Sequence, residues 1–141
     1  MKGYKSDKLR NIALLGHGGS GKTSLAEAML FTSGAVNRLG RVDDGTSVSD
    51  WDDEERRRNM SINTSMLPCE YQGYKLNVLD TPGYMDFVGE VISAVRVADA
   101  AIVVLDSVSG VEVGTGQDPQ FAQYVGRHLL GFVDQQHRFD A

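Results

Sequence analysis

Short apolar runs alternate with polar, glycine-rich connections along the chain, and their periods predict strands and helices in turn. Residues 11–15 (NIALL) form an apolar run that stops at a glycine, which predicts a buried strand. Beyond the glycines the apolar spacing becomes helical. The positions that recur at this spacing are Leu25, Ala28, Met29 and Thr32. The sequence therefore begins with a strand, a glycine-rich loop and a helix.

Two further strand candidates, residues 61–70 and 74–79, flank a Gln-Gly turn and predict a hairpin. The next helix presents one apolar face, made by Phe87, Val88, Val91, Ile92 and Val95. Residues 100–105 (AAIVVL) are the most continuous apolar run and predict a buried parallel strand. This order of elements predicts an α/β layered domain with a mainly parallel sheet.

Composition narrows the class of protein. The chain has 141 residues, 41% hydrophobic and 23% charged, which fits one globular domain and excludes a disordered, collagen-like or disulfide-rich chain. Its single cysteine, Cys69, cannot form an internal bridge, so we expect a cytoplasmic location. No apolar run approaches the roughly 20 residues that span a bilayer, so no membrane partner is expected. The net charge of −5 argues against free nucleic acid as a ligand.

Residues 16–23 (GHGGSGKT) fit the phosphate-loop pattern G-x-x-x-x-G-K-[ST] and lie between the first predicted strand and helix. Glycines let successive backbone N–H groups converge on phosphate oxygens, and the helix N-terminus adds partial positive charge. Lys22 supplies a charge for the outer phosphates and the Thr23 hydroxyl can bind magnesium. A flexible turn without a ligand is the alternative. The predicted nucleotide-binding residues here are Gly16, His17, Gly18, Gly19, Ser20, Gly21, Lys22, Thr23 and Ser24.

A second acidic site begins where the strand at 74–79 ends. Asp80 opens the sequence Asp-Thr-Pro-Gly, 58 residues after the phosphate-loop lysine. In phosphate-loop enzymes an aspartate at this place holds magnesium. Gly83 can bring its N–H to a γ-phosphate because it has no Cβ. The predicted nucleotide-binding residues of this second site are Asp80, Thr81, Pro82, Gly83 and Tyr84. The two motifs together predict a P-loop NTPase with a three-layer α/β fold.

Four segments then resemble the translational GTPases, and within them the elongation factor G and elongation-factor-G-like group. They are GHGGSGKTSL (16–25), DWDDEERRRNMSI (50–62), DTPGYMDF (80–87) and SVSGVEVGT (107–115). They follow the family's order and spacing, and the resemblance covers about residues 9–115. It implies GTP and GDP as ligands, Mg²⁺ as cofactor, GTP hydrolysis as activity and the ribosome as partner.

The resemblance also implies a role for the segment before the hairpin. Ser61 falls where the family carries its first switch, whose hydroxyl residue binds magnesium, so Thr23, Ser61 and Asp80 are the predicted metal ligands. A serine at a strand edge is the alternative for Ser61. The charged block at residues 52–58 is either a solvated helix face or, as the resemblance implies, part of a switch that GTP orders.

Three departures from the family pattern bear on activity. Tyr84 stands where the elongation factors usually have a histidine that orients the attacking water. The catalytic candidates are Lys22, Gly83 and Tyr84. Because Tyr84 replaces the histidine, we expect GTP hydrolysis to be slow. Gly19 replaces the usual loop aspartate, which puts a monovalent cation there in doubt. No lysine follows Lys75, so the guanine-reading sequence Asn-Lys-x-Asp is absent.

The composition changes after Gly116. Five of the six glutamines lie in residues 117–141, a stretch with no lysine, glutamate, isoleucine, serine or threonine. We predict that residues 1–116 are a partial GTP-binding domain, incomplete at its C-terminal side. Residues 117–141 would be a divergent tail produced by truncation or a shifted reading frame; natural variation in surface composition is the alternative. The function expected is impaired GTP binding and hydrolysis. A base-unselective ATPase or phosphotransferase and a non-catalytic remnant stay open.

Overall fold

The computed structural model describes residues 3–110 of the chain. The predicted tail at 117–141 and the end of the fourth family motif lie outside the described residues. The elements follow the predicted order, with single 3₁₀ turns at Ser6–Lys8 and Met85–Phe87. In chain order they are β1 (Leu9–Leu15), α1 (Lys22–Thr32), α2 (Asp53–Arg58), β2 (Ser65–Tyr71), β3 (Tyr74–Asp80), α3 (Val88–Val97) and β4 (Ala100–Val103).

The described strands form one sheet in the order β2-β3-β1-β4. Strand β1 pairs in parallel with β3 and with β4, whereas β2 and β3 are antiparallel. Gln72 and Gly73 join β2 to β3 with φ angles of 47° and 82°, as a two-residue hairpin turn requires. The predicted hairpin and the predicted α/β fold with a mainly parallel sheet are both confirmed.

The sheet separates two hydrophobic clusters because successive side chains of a strand point to opposite faces. Leu14 packs with Ala26 and Leu30 of α1 on one face. Ala13 and Leu15 lie on the other face, in the cluster to which α3 contributes Val91, Ala94 and Val95. Helix, sheet and helix therefore form the three layers that the motifs predicted. The phosphate-loop segment lies between β1 and α1, beside the last residue of β3.

Strand β4 is the point where the burial prediction is wrong. It is parallel to β1, as expected, but Ile102 and Val103 are 39% and 48% exposed. The reason is its place at the edge of the described sheet, where β1 covers only one of its sides. Within residues 3–110, no helix combines the length and apolar character needed to cross a bilayer.

The structure also changes one predicted boundary and one predicted burial pattern. Strand β2 begins at Ser65 rather than at 61, because the preceding residues turn back and bond to α2. Helix α1 buries a charged residue, Glu27, beside Ala26 and Leu30, while Thr32 of the predicted apolar face is exposed. The apolar spacing thus predicted the helix correctly, but not all the residues that it buries.

Candidate nucleotide-binding site

The phosphate loop takes a shape that only glycine allows at its two ends. Gly16 has a φ of 152°, and a Cβ there would collide with the carbonyl oxygen of Val104. Gly21 caps α1 in the left-handed region with a φ of 96°. Gly21, Lys22 and Thr23 line a cavity of about 690 Å³. The unbonded N–H groups of a helix's first turn carry partial positive charge, which suits an anion.

Lys22 reaches back over this loop. Its ammonium donates hydrogen bonds to the carbonyl oxygens of Gly16 at 2.9 Å and His17 at 2.7 Å. The side chain is 6% exposed, and burial lowers its pKa from 10.5 to about 8, although the nearby Asp80 carboxylate acts in the opposite direction. Lys22 is therefore a buried cation that an incoming negative charge would stabilise.

The residues after β3 touch the phosphate loop directly. Gly83 accepts a hydrogen bond from the N–H of Gly18 at 3.1 Å. A Cβ on Gly83 would lie 2.5 Å from the carbonyl carbon of His17 and 2.6 Å from Lys22 Nζ, so only glycine fits. The ring of Tyr84 packs on Gly18, and its centroid lies 5.8 Å from that of His17. The three predicted catalytic residues thus lie together.

A cluster of hydroxyl and carboxyl groups lies beside the loop. The hydroxyl oxygens of Thr23 and Ser61 are 3.3 Å apart, and Ser61 donates to Asp50 Oδ1 at 2.7 Å. Ser49 donates to Asp80 Oδ2 at 2.6 Å. The structure therefore brings together Thr23, Ser61 and Asp80, the three predicted metal ligands, across 57 residues of sequence.

Two oxygens of this cluster have unused bonding capacity. Asp50 Oδ2 and Asp80 Oδ1 are buried and accept no hydrogen bond from the described residues. Burial raises the pKa of both carboxyls, against the opposing effect of hydrogen bonds from Ser61 to Asp50 and from Ser49 to Asp80. No group of three His, Cys, Asp or Glu side chains within residues 3–110 could hold a metal by itself. Hydroxyl and carboxylate oxygens together are the hard donors that Mg²⁺ prefers, so the cluster fits that ion.

Not every predicted nucleotide-binding residue faces the cavity. Those that line it are Gly18, Gly19, Gly21, Lys22, Thr23, Ser24, Gly83 and Tyr84, and the predicted metal ligand Ser61 lines it as well. Those that do not are Gly16, His17, Ser20, Asp80, Thr81 and Pro82. Thr81 is fully buried and donates its hydroxyl to the carbonyl oxygen of Leu14 at 2.6 Å, so it joins the ends of β3 and β1.

The sequence reasoning missed several residues of the site. Asp50 lines the cavity and accepts from Ser61, yet it had no predicted role although it opens the second family motif. Glu27 is fully buried, and its only signal was an acidic residue among the small and apolar residues of the first helix. The connecting segment 39–43 also lines the cavity, and no motif identified it.

A family model described as the elongation factor Tu GTP binding domain matches residues 7–135. The chain belongs to this family. The resemblance to translational GTPases is thus confirmed, and guanine nucleotide is the ligand class that the elongation factor Tu GTP-binding domain family implies. The match extends into the segment predicted as a divergent tail, whose boundary stays a prediction.

Similar proteins of this family are much longer than the matched segment. An elongation factor G from Thermotoga neapolitana is 42% identical over 106 residues, which cover 75% of this chain and 15% of that protein. A mitochondrial ribosome-releasing factor 2 from Debaryomyces hansenii is 38% identical over 132 residues, or 94% of this chain and 15% of that protein. A solved structure from Thermus thermophilus has a TM-score of 0.77 at 43% identity, over 83% of this chain and 18% of that one.

Proposed function

We propose that the chain binds GTP and GDP with Mg²⁺ in the cavity at the phosphate loop, and that it hydrolyses GTP there slowly. The observation that carries this proposal is the approach of Thr23 and Ser61 to 3.3 Å beside the buried carboxyls of Asp50 and Asp80. A cavity of about 690 Å³ is within the range of small-ligand sites, roughly 300–1,000 Å³.

The residues of the site would bind either the phosphates or the metal, according to their chemistry. Lys22 and the N–H groups at the start of α1 bind the outer phosphates and stabilise the negative charge that develops during hydrolysis. Thr23 and Ser61 would hold the metal through their hydroxyls, with Asp80 and Asp50 supplying the carboxylate oxygens of the same cluster. Bound magnesium neutralises phosphate charge. Gly83 would bring its N–H to the terminal phosphate, because it has no Cβ in the way.

Tyr84 is the reason to expect slow hydrolysis. Its ring packs on Gly18 and is 40% exposed, beside the predicted position of the terminal phosphate. A phenol cannot share the protonation behaviour that imidazole has near neutral pH. Tyr84→Phe should therefore change the rate by less than about threefold, whereas Tyr84→His should raise it about tenfold or more. Single-turnover phosphate release measures both, and a large loss in Tyr84→Phe would show that the phenol itself takes part.

The nucleotide site is tested by titrating the purified chain with fluorescent GDP, GTP and ATP, with and without Mg²⁺. Lys22→Ala should abolish binding because it removes the buried ammonium. Lys8→Ala is the matched control, since Lys8 is exposed and its ammonium donates to the hydroxyl of Tyr74 at 3.1 Å. Binding that survives in Lys22→Ala, or that ignores Mg²⁺, would contradict the proposed site.

A second candidate is a phosphate-loop protein that does not select its base. It stays an alternative because no Asn-Lys-x-Asp occurs within residues 1–141. A site without groups for the guanine edge loses discrimination. The ratio of GTP to ATP affinity separates the two candidates: a ratio near one supports the second and a large one the first. Binding without any Mg²⁺-dependent turnover of either nucleotide would instead indicate a non-catalytic remnant.

The partner proposal rests on what the relatives are named. They are elongation factor G and a ribosome-releasing factor, and the matched segments are 15% of their length. We infer that this chain acts in the cytoplasm as the N-terminal part of such a GTP-binding domain, with the ribosome as partner. Purified ribosomes should then increase phosphate release by the chain, and unchanged release at saturating ribosome would count against this role.

A further inference from the structure

Glu27 is a charged residue inside the protein that no predicted motif explains. It lies in α1, four residues after Thr23, and is 0% exposed. Its Oε1 accepts three hydrogen bonds, from the hydroxyl of Ser47 at 3.0 Å and the N–H groups of Val48 at 2.6 Å and Ser49 at 3.2 Å. A single buried oxygen thus binds three consecutive residues of the connection between α1 and α2.

Those three residues lead directly into the cluster of hydroxyl and carboxyl groups beside the phosphate loop. Ser49 donates its hydroxyl to Asp80 Oδ2 at 2.6 Å, and its carbonyl accepts from Ser65 at the start of β2 at 2.6 Å. The next residue, Asp50, accepts from Ser61 at 2.7 Å. Both carboxyls of the cluster are therefore oriented by a segment whose own place is fixed by Glu27.

A glycine makes room for this contact. Gly40 is buried, and a Cβ there would overlap Glu27 Oε2 and lie 2.8 Å from the carbonyl oxygen of Thr46. The connecting segment thus contacts both oxygens of the carboxylate: Gly40 lies against Oε2, and residues 47–49 bond to Oε1. The exposed remainder of the segment includes Arg41 and Asp44, whose charged atoms are 3.6 Å apart on the surface and whose pairing contributes little.

We propose that Glu27 is a positioning residue that fixes Ser47–Ser49 against α1 and thereby sets the orientation of Asp80 and Asp50 toward the metal. Without its carboxylate, two backbone N–H groups and a hydroxyl lose their acceptor, and the segment is free to leave α1. Ser49 and Asp50 then no longer hold one geometry. The consequence for magnesium rests on the proposed function; the consequence for the segment does not.

The first experiment uses the whole chain without nucleotide. Trypsin can cut after Arg38 and Arg41, which are exposed in the segment that Glu27 holds. Glu27→Ala should raise the rate of cleavage at these sites about tenfold or more, since three hydrogen bonds are lost. Glu27→Gln should keep most of the protection because its amide oxygen can accept the same bonds. Glu70→Ala, at an exposed position of β2, is the matched control and should be cleaved at the wild-type rate.

The second experiment measures the Mg²⁺ concentration that gives half of the maximal fluorescent-GDP binding. Loss of a residue that orients metal ligands typically weakens metal binding by about ten- to a hundredfold. Glu27→Ala should raise the half-saturating Mg²⁺ concentration about tenfold, with GDP binding in excess EDTA unchanged. A merely structural role would lower the melting temperature and leave the Mg²⁺ requirement where it was.

Gly40→Ala provides a test that keeps the carboxylate. Its added methyl should push Oε2 aside and reproduce both effects, while Gly89→Ala, where a Cβ meets nothing within 4 Å, should reproduce neither. If Glu27→Ala does not fold, the comparison of Gly40→Ala with Gly89→Ala still tests the positioning role of Glu27. Wild-type cleavage rates in both Glu27→Ala and Gly40→Ala would overturn the proposal. A wild-type chain that binds no nucleotide would refute the proposed function, while the cleavage experiment would still decide the role of Glu27.

Discussion

Lys22 should make the stability of the nucleotide-free chain depend on pH in a way that its replacement removes. Its ammonium is buried among backbone carbonyls, with a pKa lowered from 10.5 to about 8. Below pH 8 both the folded and the unfolded chain carry the proton, and the folded state bears the whole penalty of burying it. Between about pH 8 and 10.5 the unfolded chain binds more protons, so the free energy of unfolding rises with pH.

The size of this rise follows from the two pKa values. One pKa unit corresponds to about 1.4 kcal/mol, so the contribution of Lys22 should grow by about 3 kcal/mol across that range. Lys22→Met keeps an unbranched chain in the same place but cannot titrate. The free energy of unfolding of the wild type minus that of Lys22→Met should therefore increase with pH. Taking this difference removes the pH-dependent contributions of other titrating groups, such as Cys69, whose pKa is raised by burial.

Urea unfolding followed by circular dichroism gives the two free energies at each pH. Lys8→Met carries the same change on the surface and is the control. Adding saturating GDP should flatten the curve, because phosphate charge favours the protonated lysine. A difference between wild type and Lys22→Met that stays constant from pH 7.5 to pH 10.5 would refute the reasoning, since it would mean that the buried amine titrates as it does in the unfolded chain.

Three shorter predictions concern the same region. Gly83→Ala should destabilise the chain by about 1–3 kcal/mol in urea unfolding and weaken GDP binding, because its methyl would overlap the phosphate loop, whereas Gly89→Ala should do neither. Asp80→Asn should make GDP affinity independent of Mg²⁺, a result that titrations with and without EDTA would check and that a retained Mg²⁺ response would contradict. Glu55→Ala should lower the free energy of unfolding by about 3 kcal/mol, since the buried carboxylate accepts from two backbone N–H groups of the following segment. Asp53→Ala, on the exposed side of α2, is its control.

The elements that the sequence predicted well are those set by local periodicity. Strand β1, the hairpin at Gln72 and helix α3 each follow from a short apolar pattern and its turn. The phosphate loop was predicted for a different reason. Its glycines and Lys22 are constrained by the shape of a ligand, and the constrained residues are adjacent in the sequence.

The rest depends on contacts between residues far apart in sequence. Glu27 bonds to residues 20 to 22 positions later, and Ser49 bonds to Asp80 across 31 positions. Such side-chain contacts have no period, so the connection between α1 and α2 looked like a polar loop. The exposure of β4 was misjudged because an apolar run indicates a strand but does not say whether that strand lies at the centre or the edge of a sheet.

The hydrogen bond from Gly18 to the carbonyl of Gly83 occupies one N–H group of the phosphate loop. A phosphate oxygen that takes the N–H of Gly18 has to displace that carbonyl, and the peptide that moves is the one joining Gly83 to Tyr84. The turn at Met85–Phe87 and then α3 follow at once. Binding of an anion at that N–H would therefore move the peptide that leads into α3, on the face of the sheet opposite α1.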